Sequence, residues 1–210
     1  VEHRRVDLSA IEYDRRWAER AAAGESVHGE ADLVELLLAE HRLTPDAGEQ
    51  PSVLDAGCGT GRVAVELSAR GLRTTGVDLD PALLDAARRK DPAVHWITAD
   101  LATLAPDVAP GPFAAVVAAG NVMIFVARGT EDAVVANLAA RLAPGGLLVA
   151  GFQVRAGGLS RSEYDDHCAA AGLERVAHYA TWERAPLGAV VDYVVAVNRR
   201  PPVTPDTAPG

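Results

Sequence analysis

Asp55, Asp78 and Asp100 each close a short apolar run, and their spacing describes a ligand before it describes a fold. The first run, Val53-Leu54-Asp55, leads into Ala56-Gly57-Cys58-Gly59-Thr60-Gly61, with glycine at alternate positions. Glycine permits positive φ and lets a ligand approach the main chain with no Cβ in the way. A dinucleotide turn spaces its glycines G-x-G-x-x-G and offers a helix N-terminus to a pyrophosphate. Here the spacing is G-x-G-x-G, and Asp55, two residues before the first glycine, would repel phosphate and suit a cation. Both features oppose a nicotinamide oxidoreductase. Asp78 ends the apolar pattern Leu72 to Val77, about twenty residues beyond Gly57, where a ribose-binding acid belongs. No Arg or Lys follows at once to receive a 2′-phosphate. Asp100 ends Val94 to Ala99, and an acid there can accept from an exocyclic adenine amine. The implied ligand has an adenosine half and a cationic, phosphate-free half.

S-adenosylmethionine, with its sulfonium and ammonium, has that composition. Asp55-Ala56-Gly57-Cys58-Gly59-Thr60-Gly61 resembles motif I of the class I (Rossmann-like) SAM-dependent methyltransferases. Gly76-Val77-Asp78-Leu79-Asp80 resembles the family's acidic second motif, and Thr98-Ala99-Asp100-Leu101 its adenine-binding motif. Leu142-Ala143-Pro144-Gly145-Gly146-Leu147-Leu148 resembles its L-x-P-G-G turn before the fifth strand. The resemblance covers about Gly29 to Arg199. It implies S-adenosylmethionine as cofactor and S-adenosylhomocysteine as product; no metal is expected, because no Asp or Glu lies between Asp107 and Glu131. It implies cofactor contacts from Asp55, Ala56, Gly57, Cys58 and Gly59 in the turn, and from Asp78 on the ribose. Leu79 would pack on the adenine, and Asp100 and the Leu101 backbone N–H would bond to it. Ala119, at the end of the fourth strand, and Arg16 complete the implied set. A lone Asp at a strand end is ordinarily a cap or turn former, and Asp80 before Pro81 reads as one.

The elements that must position these residues alternate between strand and helix periods, which argues α/β. Leu8 to Ala23 and Gly29 to Arg42 read as helices, and Thr44 to Pro51 as a polar linker. Then come strand 52–56, helix 61–70, strand 72–77, helix 81–90, strand 94–99, strand 113–119, helix 130–143 and strand 147–153. Helix 160–171 ends at Gly172, a suitable C′ residue. Val176 to Arg184 and Ala189 to Asn198 read as strands joined by a hairpin turn at Ala185-Pro186-Leu187-Gly188. The expected fold is a doubly wound, seven-stranded, mostly parallel sheet with an antiparallel last strand and helices on both faces. The resemblance places that last strand between the fifth and sixth. Residues 1–28 are expected as a helical cover over the site, 29–199 as the methyltransferase domain, and 200–210, rich in proline, as a disordered tail.

Composition narrows the function. A chain of 210 residues supports one sizeable core. A formal net charge of −9 speaks against a broad nucleic-acid footprint. Two cysteines, Cys58 and Cys168, make neither a disulfide framework nor a metal quartet, so a reducing cytoplasm is expected. The charged start of the sequence lacks a signal-peptide core, and the apolar run Phe113 to Val126 is too short for a membrane span. Gly120-Asn121-Val122-Met123 is not the run used for exocyclic-amine methylation of DNA, nor does it hold the Pro-Cys of cytosine C5 methylation. No Asp or Glu lies between Asp107 and Glu131, which opposes metal-assisted catechol methylation.

Methyl transfer from a sulfonium is an in-line displacement that needs alignment above all. A general base is needed only where the nucleophile arrives protonated. The polar candidates are Tyr13, Arg16, His28, Asn121, His178 and Tyr179, with Tyr13 and His28 the candidates for a catalytic role. Tyr13 and Arg16 share a helix face at i, i+3, but Tyr13 and Trp17 at i, i+4 would equally serve to pack that helix. Met123, Phe125 and Trp182 could line an apolar pocket or simply fill the core. The expected activity is methylation of an oxygen or nitrogen on a small-molecule acceptor. The alternatives are a protein or RNA methyltransferase and a non-catalytic SAM- or SAH-binding protein. Acceptor identity, oligomeric state and pathway are not encoded in these patterns.

Overall fold

Strand and helix alternate along the chain as α1 (Ala10–Ala22), α2 (Gly29–Glu40), β1 (Ser52–Ala56), α3 (Arg62–Ala69), β2 (Arg73–Asp78), α4 (Pro81–Lys90), β3 (His95–Thr98), β4 (Phe113–Ala118), α5 (Val122–Phe125), α6 (Glu131–Ala140), β5 (Leu142–Gln153), α7 (Arg161–Ala170), β6 (Glu174–Tyr179) and β7 (Tyr193–Arg199). A 3-10 turn at Leu101–Thr103 lies between β3 and β4. The computed structural model describes residues 10–43 and 49–203. The expected helix start at Leu8, most of the Thr44 to Pro51 linker and the tail beyond Val203 lie outside the described residues.

The strands form one sheet in the order β3-β2-β1-β4-β5-β7-β6. β7 runs antiparallel to both β5 and β6, and the other neighbours pair in parallel. The expected seven strands, with the last inserted antiparallel between the fifth and sixth, are therefore present. Every residue of β1 is buried, as a central strand covered on both faces must be. Leu54 and Ala56 face a core completed by Val134 and Leu138 of α6 and Tyr164 and Cys168 of α7. Val53 faces the opposite layer, with Ala31, Val34 and Leu38 of α2 and Val63 and Leu67 of α3. Asp55 points the same way as Val53, because strand side chains alternate.

Local chemistry sets the helix starts. Asp80 caps α4 by accepting from the Ala82 N–H at 2.8 Å, with Pro81 as the first helical residue and Arg88, Arg89 and Lys90 in the last turn. Ser160 and Glu163 form a reciprocal capping box on α7.

Two stretches depart from the sequence reading. The Pro144-Gly145-Gly146 turn lies inside β5, which begins already at Leu142. The Gly145 N–H donates to the Arg200 carbonyl at 2.9 Å and the Arg200 N–H to the Gly146 carbonyl at 2.8 Å, so the ladder with the end of β7 continues through the turn. The expected tight hairpin at Ala185 to Gly188 is instead one part of a longer connection between Tyr179 and Tyr193. The alternation from Thr181 to Arg184 belongs to a turn, with the Arg184 N–H donating to Thr181 at 3.1 Å. That turn lays Trp182 over β5, where a Cβ on Gly151 would come within 2.3 Å of the indole.

Candidate active site

The parallel register brings the three aspartates to one edge of the sheet. Asp55 on β1 is level with Gly76, and Asp78 on β2 is level with Thr98. The glycine turn is stitched to that edge: the Gly57 and Cys58 N–H groups both donate to the Val77 carbonyl, at 2.7 and 3.0 Å. Gly57 has φ +73°, and a Cβ there would lie 2.4 Å from Val122 of α5, so only glycine fits. Gly59 has φ +54° with nothing within 4 Å of where its Cβ would be, which leaves the outer side of the turn open to a ligand. Ala56 and Ala119 are buried at the ends of β1 and β4, and burial pushes the Cys58 thiol up, keeping it protonated.

Asp78 is held in place by the turn. The Gly59 N–H donates to its Oδ2 at 2.7 Å and the Asp80 N–H to its Oδ1 at 2.9 Å. Burial raises its pKa, and those N–H donors offset this in part. Each oxygen keeps a further acceptor position. Beside it Leu79 is 46% exposed, an apolar side chain left uncovered where the adenine is expected. Asp100 caps the next turn through the Ala102 N–H at 2.9 Å, with Leu101 buried beneath it. Asp100 thus serves as a turn cap, as a lone Asp at a strand end ordinarily does.

Asp55 is only 2% exposed, and its Oδ2 accepts from the Ala64 N–H of α3 at 3.0 Å. Burial raises its pKa to about 7, against the lowering influence of Arg62 and of the Ala64 N–H. Arg62 is the residue that the sequence reading missed. It forms a bidentate pair with buried Glu30 of α2, one arm at 2.9 Å, and also donates to the Val27 carbonyl at 2.6 Å. Burial alone would lower its pKa; Glu30 and then Tyr13 reverse the sign and raise it. Glu30 was detectable. It shares the α2 face of Leu33, Val34 and Leu37, and an acid on an apolar face requires a buried partner.

Helix α1 lies over this cluster. The Trp17 ring stacks on the Arg62 guanidinium, 3.7 Å from its centroid. Asp14 accepts from the Thr60 hydroxyl at 2.6 Å and from Lys90 at 2.7 Å. The Tyr13 hydroxyl reaches the end of β4, 3.9 Å from where a Cβ on Gly120 would be. Arg16, on the same helix, is exposed, and Arg62 stands nearest the Asp55 end of the turn. His28 turns to α3, with its Nδ1 3.3 Å from a Glu66 carboxylate oxygen. Asn121 joins β4 to β5, accepting from the Gln153 N–H at 2.8 Å. His178 pairs with Asp165 of α7 at 2.9 Å, and Tyr179 accepts from Arg184 at 3.2 Å. Met123 is core. Of the polar candidates, Tyr13 lies by the end of β4, and its side chain also interacts with Arg62.

Among the described residues no group of three or more His, Cys, Asp or Glu is placed to hold a metal ion. None of the described helices is long and apolar enough to cross a membrane. The open turn, the uncovered Leu79 and the carboxylates of Asp78 and Asp100, each fixed by backbone N–H donors, fit an adenosine-bearing ligand.

Comparison with known proteins agrees with that geometry. Residues 53–146 match a family model described as a methyltransferase domain. A TehB-like SAM-dependent methyltransferase of Corynebacterium glutamicum superposes with a TM-score of 0.78 at 32% identity, over 91% of this chain and 97% of that one. The trans-aconitate 2-methyltransferase of Paracidovorax citrulli is 38% identical over 46% of this chain and 36% of its own length. The magnesium-protoporphyrin O-methyltransferase of Rhodobacter capsulatus is 31% identical over 61% of this chain and 65% of its own length. The chain thus spans less than two thirds of each of these two curated relatives.

Proposed function

Since this chain belongs to the SAM-dependent methyltransferases, we propose that it transfers the methyl group of S-adenosylmethionine to an oxygen or nitrogen of a small-molecule acceptor. The observation that carries this reading is the edge where Asp55, Asp78 and Asp100 surround an open glycine turn roofed by α1. When bound, S-adenosylmethionine supplies an activated methyl group on a sulfonium leaving group.

The chain's own residues bind, orient and exclude water. Asp78 accepts from the ribose hydroxyls, held in position by the Gly59 and Asp80 N–H groups. Leu79 packs on the adenine, and Asp100 and Leu101 read its edge. Ala56, Gly57, Cys58, Gly59 and Ala119 form the wall against the methionine half, with Asp55 supplying negative charge beneath it. Arg16, exposed on α1, and Arg62, paired with Glu30, are the cations at that end. Tyr13 sits on the acceptor side, where its hydroxyl orients the nucleophile or takes its proton. The cover expected of residues 1–28 is carried among the described residues by α1, and a roof that expels water strengthens the electrostatics around a sulfonium. His28 belongs to the seat of that cover on α3.

A small acceptor suits a chain of net charge −9 whose relatives include methyltransferases of trans-aconitate and magnesium-protoporphyrin. A reducing compartment such as the cytoplasm suits the unpaired Cys58 and Cys168. The test is an untargeted screen of cell metabolites with methyl-labelled S-adenosylmethionine. Label should appear in a small molecule. Label appearing only in protein or RNA would support the macromolecular alternative. No label in any fraction, with cofactor bound, would leave a non-catalytic binding protein.

A further inference from the structure

Helix α6 and its C-cap residue carry two polar side chains on the face that meets the adenine loop, and the site described above uses neither. The Asn137 Nδ2 donates to the carbonyls of Leu101 and Ala102, at 2.9 and 3.0 Å. One turn later Arg141, buried in the core, donates to the carbonyls of Leu104 and Val108, at 3.1 and 3.0 Å, and to that of Ala105. Its Nη1 also donates to the Asn137 carbonyl at 2.7 Å. Burial lowers the Arg141 pKa, and the hydrogen-bond partners of its guanidinium are backbone carbonyls. A buried cation held by carbonyl dipoles is a costly way to fill space. Its effect is to fix the backbone from Leu104 to Val108 against α6.

The Asn137 contact reaches further, through a single peptide group. The Leu101 carbonyl and the Ala102 N–H belong to the same planar amide. The carbonyl accepts from Asn137, and the N–H donates to Asp100 Oδ1 at 2.9 Å. A carbonyl that accepts a hydrogen bond polarises its own amide and makes the N–H a better donor. The orientation and strength of the Asp100 contact therefore depend on Asn137. We propose that Asn137 is a positioning residue for adenine recognition: its amide sets the Leu101–Ala102 peptide plane, which aims the Asp100 carboxylate, while Arg141 anchors the rest of the loop. This rests on the reading of Asp100 as the acceptor for the adenine amine.

The experiment compares two ligands, S-adenosylhomocysteine and S-inosylhomocysteine, whose purine carries an oxygen in place of the 6-amino group. Calorimetry on the wild type should show the adenine ligand bound at least about tenfold more tightly, because the 6-amino group donates to Asp100 whereas a 6-oxygen in its place would face the carboxylate as a second acceptor. In Asn137→Leu, which keeps the bulk and removes the donor, that preference should fall toward parity through loss of adenine affinity. In Asn137→Ser, a smaller change for use should the leucine variant not fold, the preference should fall likewise. A variant that melts at a lower temperature but keeps the full preference would make Asn137 a purely structural clamp and overturn the proposal. An independent reading needs no variant: the Asn137 side-chain amide resonances of the wild type should shift with S-adenosylhomocysteine and far less with the inosine analogue. Equal shifts would also overturn it. Asp100→Ala separates the two levels: if it leaves the preference intact, the assignment of Asp100 to the adenine fails, and the role of Asn137 falls with it.

Discussion

Burial raises the Asp55 pKa from an ordinary 3.8 to about 7, against the lowering influence of Arg62 and the Ala64 N–H. Between those two values the folded protein holds a proton that the unfolded chain has already released. This group's contribution to stability therefore falls as pH rises from about 4 through 7, and is constant above. Asp55→Asn keeps an oxygen for the Ala64 N–H and removes the buried charge. It should stabilise the protein at pH 8 by on the order of 2 kcal/mol and by much less at pH 5, while weakening cofactor binding at pH 8. Thermal unfolding at the two pH values checks this, and an equal effect at both would show that Asp55 is not held neutral by burial. The three aspartates and the glycine turn were legible in the sequence because strand ends in a parallel sheet share one edge. Arg62 was not, since its importance depends on Glu30 and Trp17 arriving from helices far away along the chain. Asn137 and Arg141 were missed for the same reason, although Arg141 follows Val134 and Leu138 on an apolar face and so gave a signal.

At the scale of elements, α1 has no buried residues, and it is held to the domain by a few polar and aromatic contacts. Asp14 ties it to Thr60 and Lys90, and Trp17 to Arg62. A cation–π contact is worth about 0.5–2 kcal/mol depending on its desolvation. An element attached in this way opens at low free energy compared with the core. Its hydrogen exchange should slow when S-adenosylhomocysteine binds, and Trp17→Ala should speed exchange across Ala10–Ala22 while leaving the strands protected. Removing residues 1–24 should abolish turnover and spare the folded core. A truncated protein that turns over at the full-length rate would remove the cover from the account. The order of strands and helices was legible from periodicity, but the hairpin after β6 was not. Alternation from Thr181 to Arg184 has the period of a strand, yet Trp182 leaves the ladder to cover Gly151. Period alone does not distinguish a strand from an extended turn whose aromatic residue packs on its neighbour.

At the scale of the whole molecule, one sheet with helices on both faces provides a ligand edge and very little besides a cover, so the fold itself does not select an acceptor. What the fold commits to is the cofactor. Calorimetric titration with S-adenosylhomocysteine and with NAD tests that commitment most directly. The protein should bind S-adenosylhomocysteine one-to-one and give no heat of binding with NAD. Asp78→Ala, which removes charge-assisted hydrogen bonds worth about 1.5–3 kcal/mol each, should weaken S-adenosylhomocysteine by at least roughly tenfold. NAD bound with S-adenosylhomocysteine not bound, or an affinity unchanged in Asp78→Ala, would contradict the account.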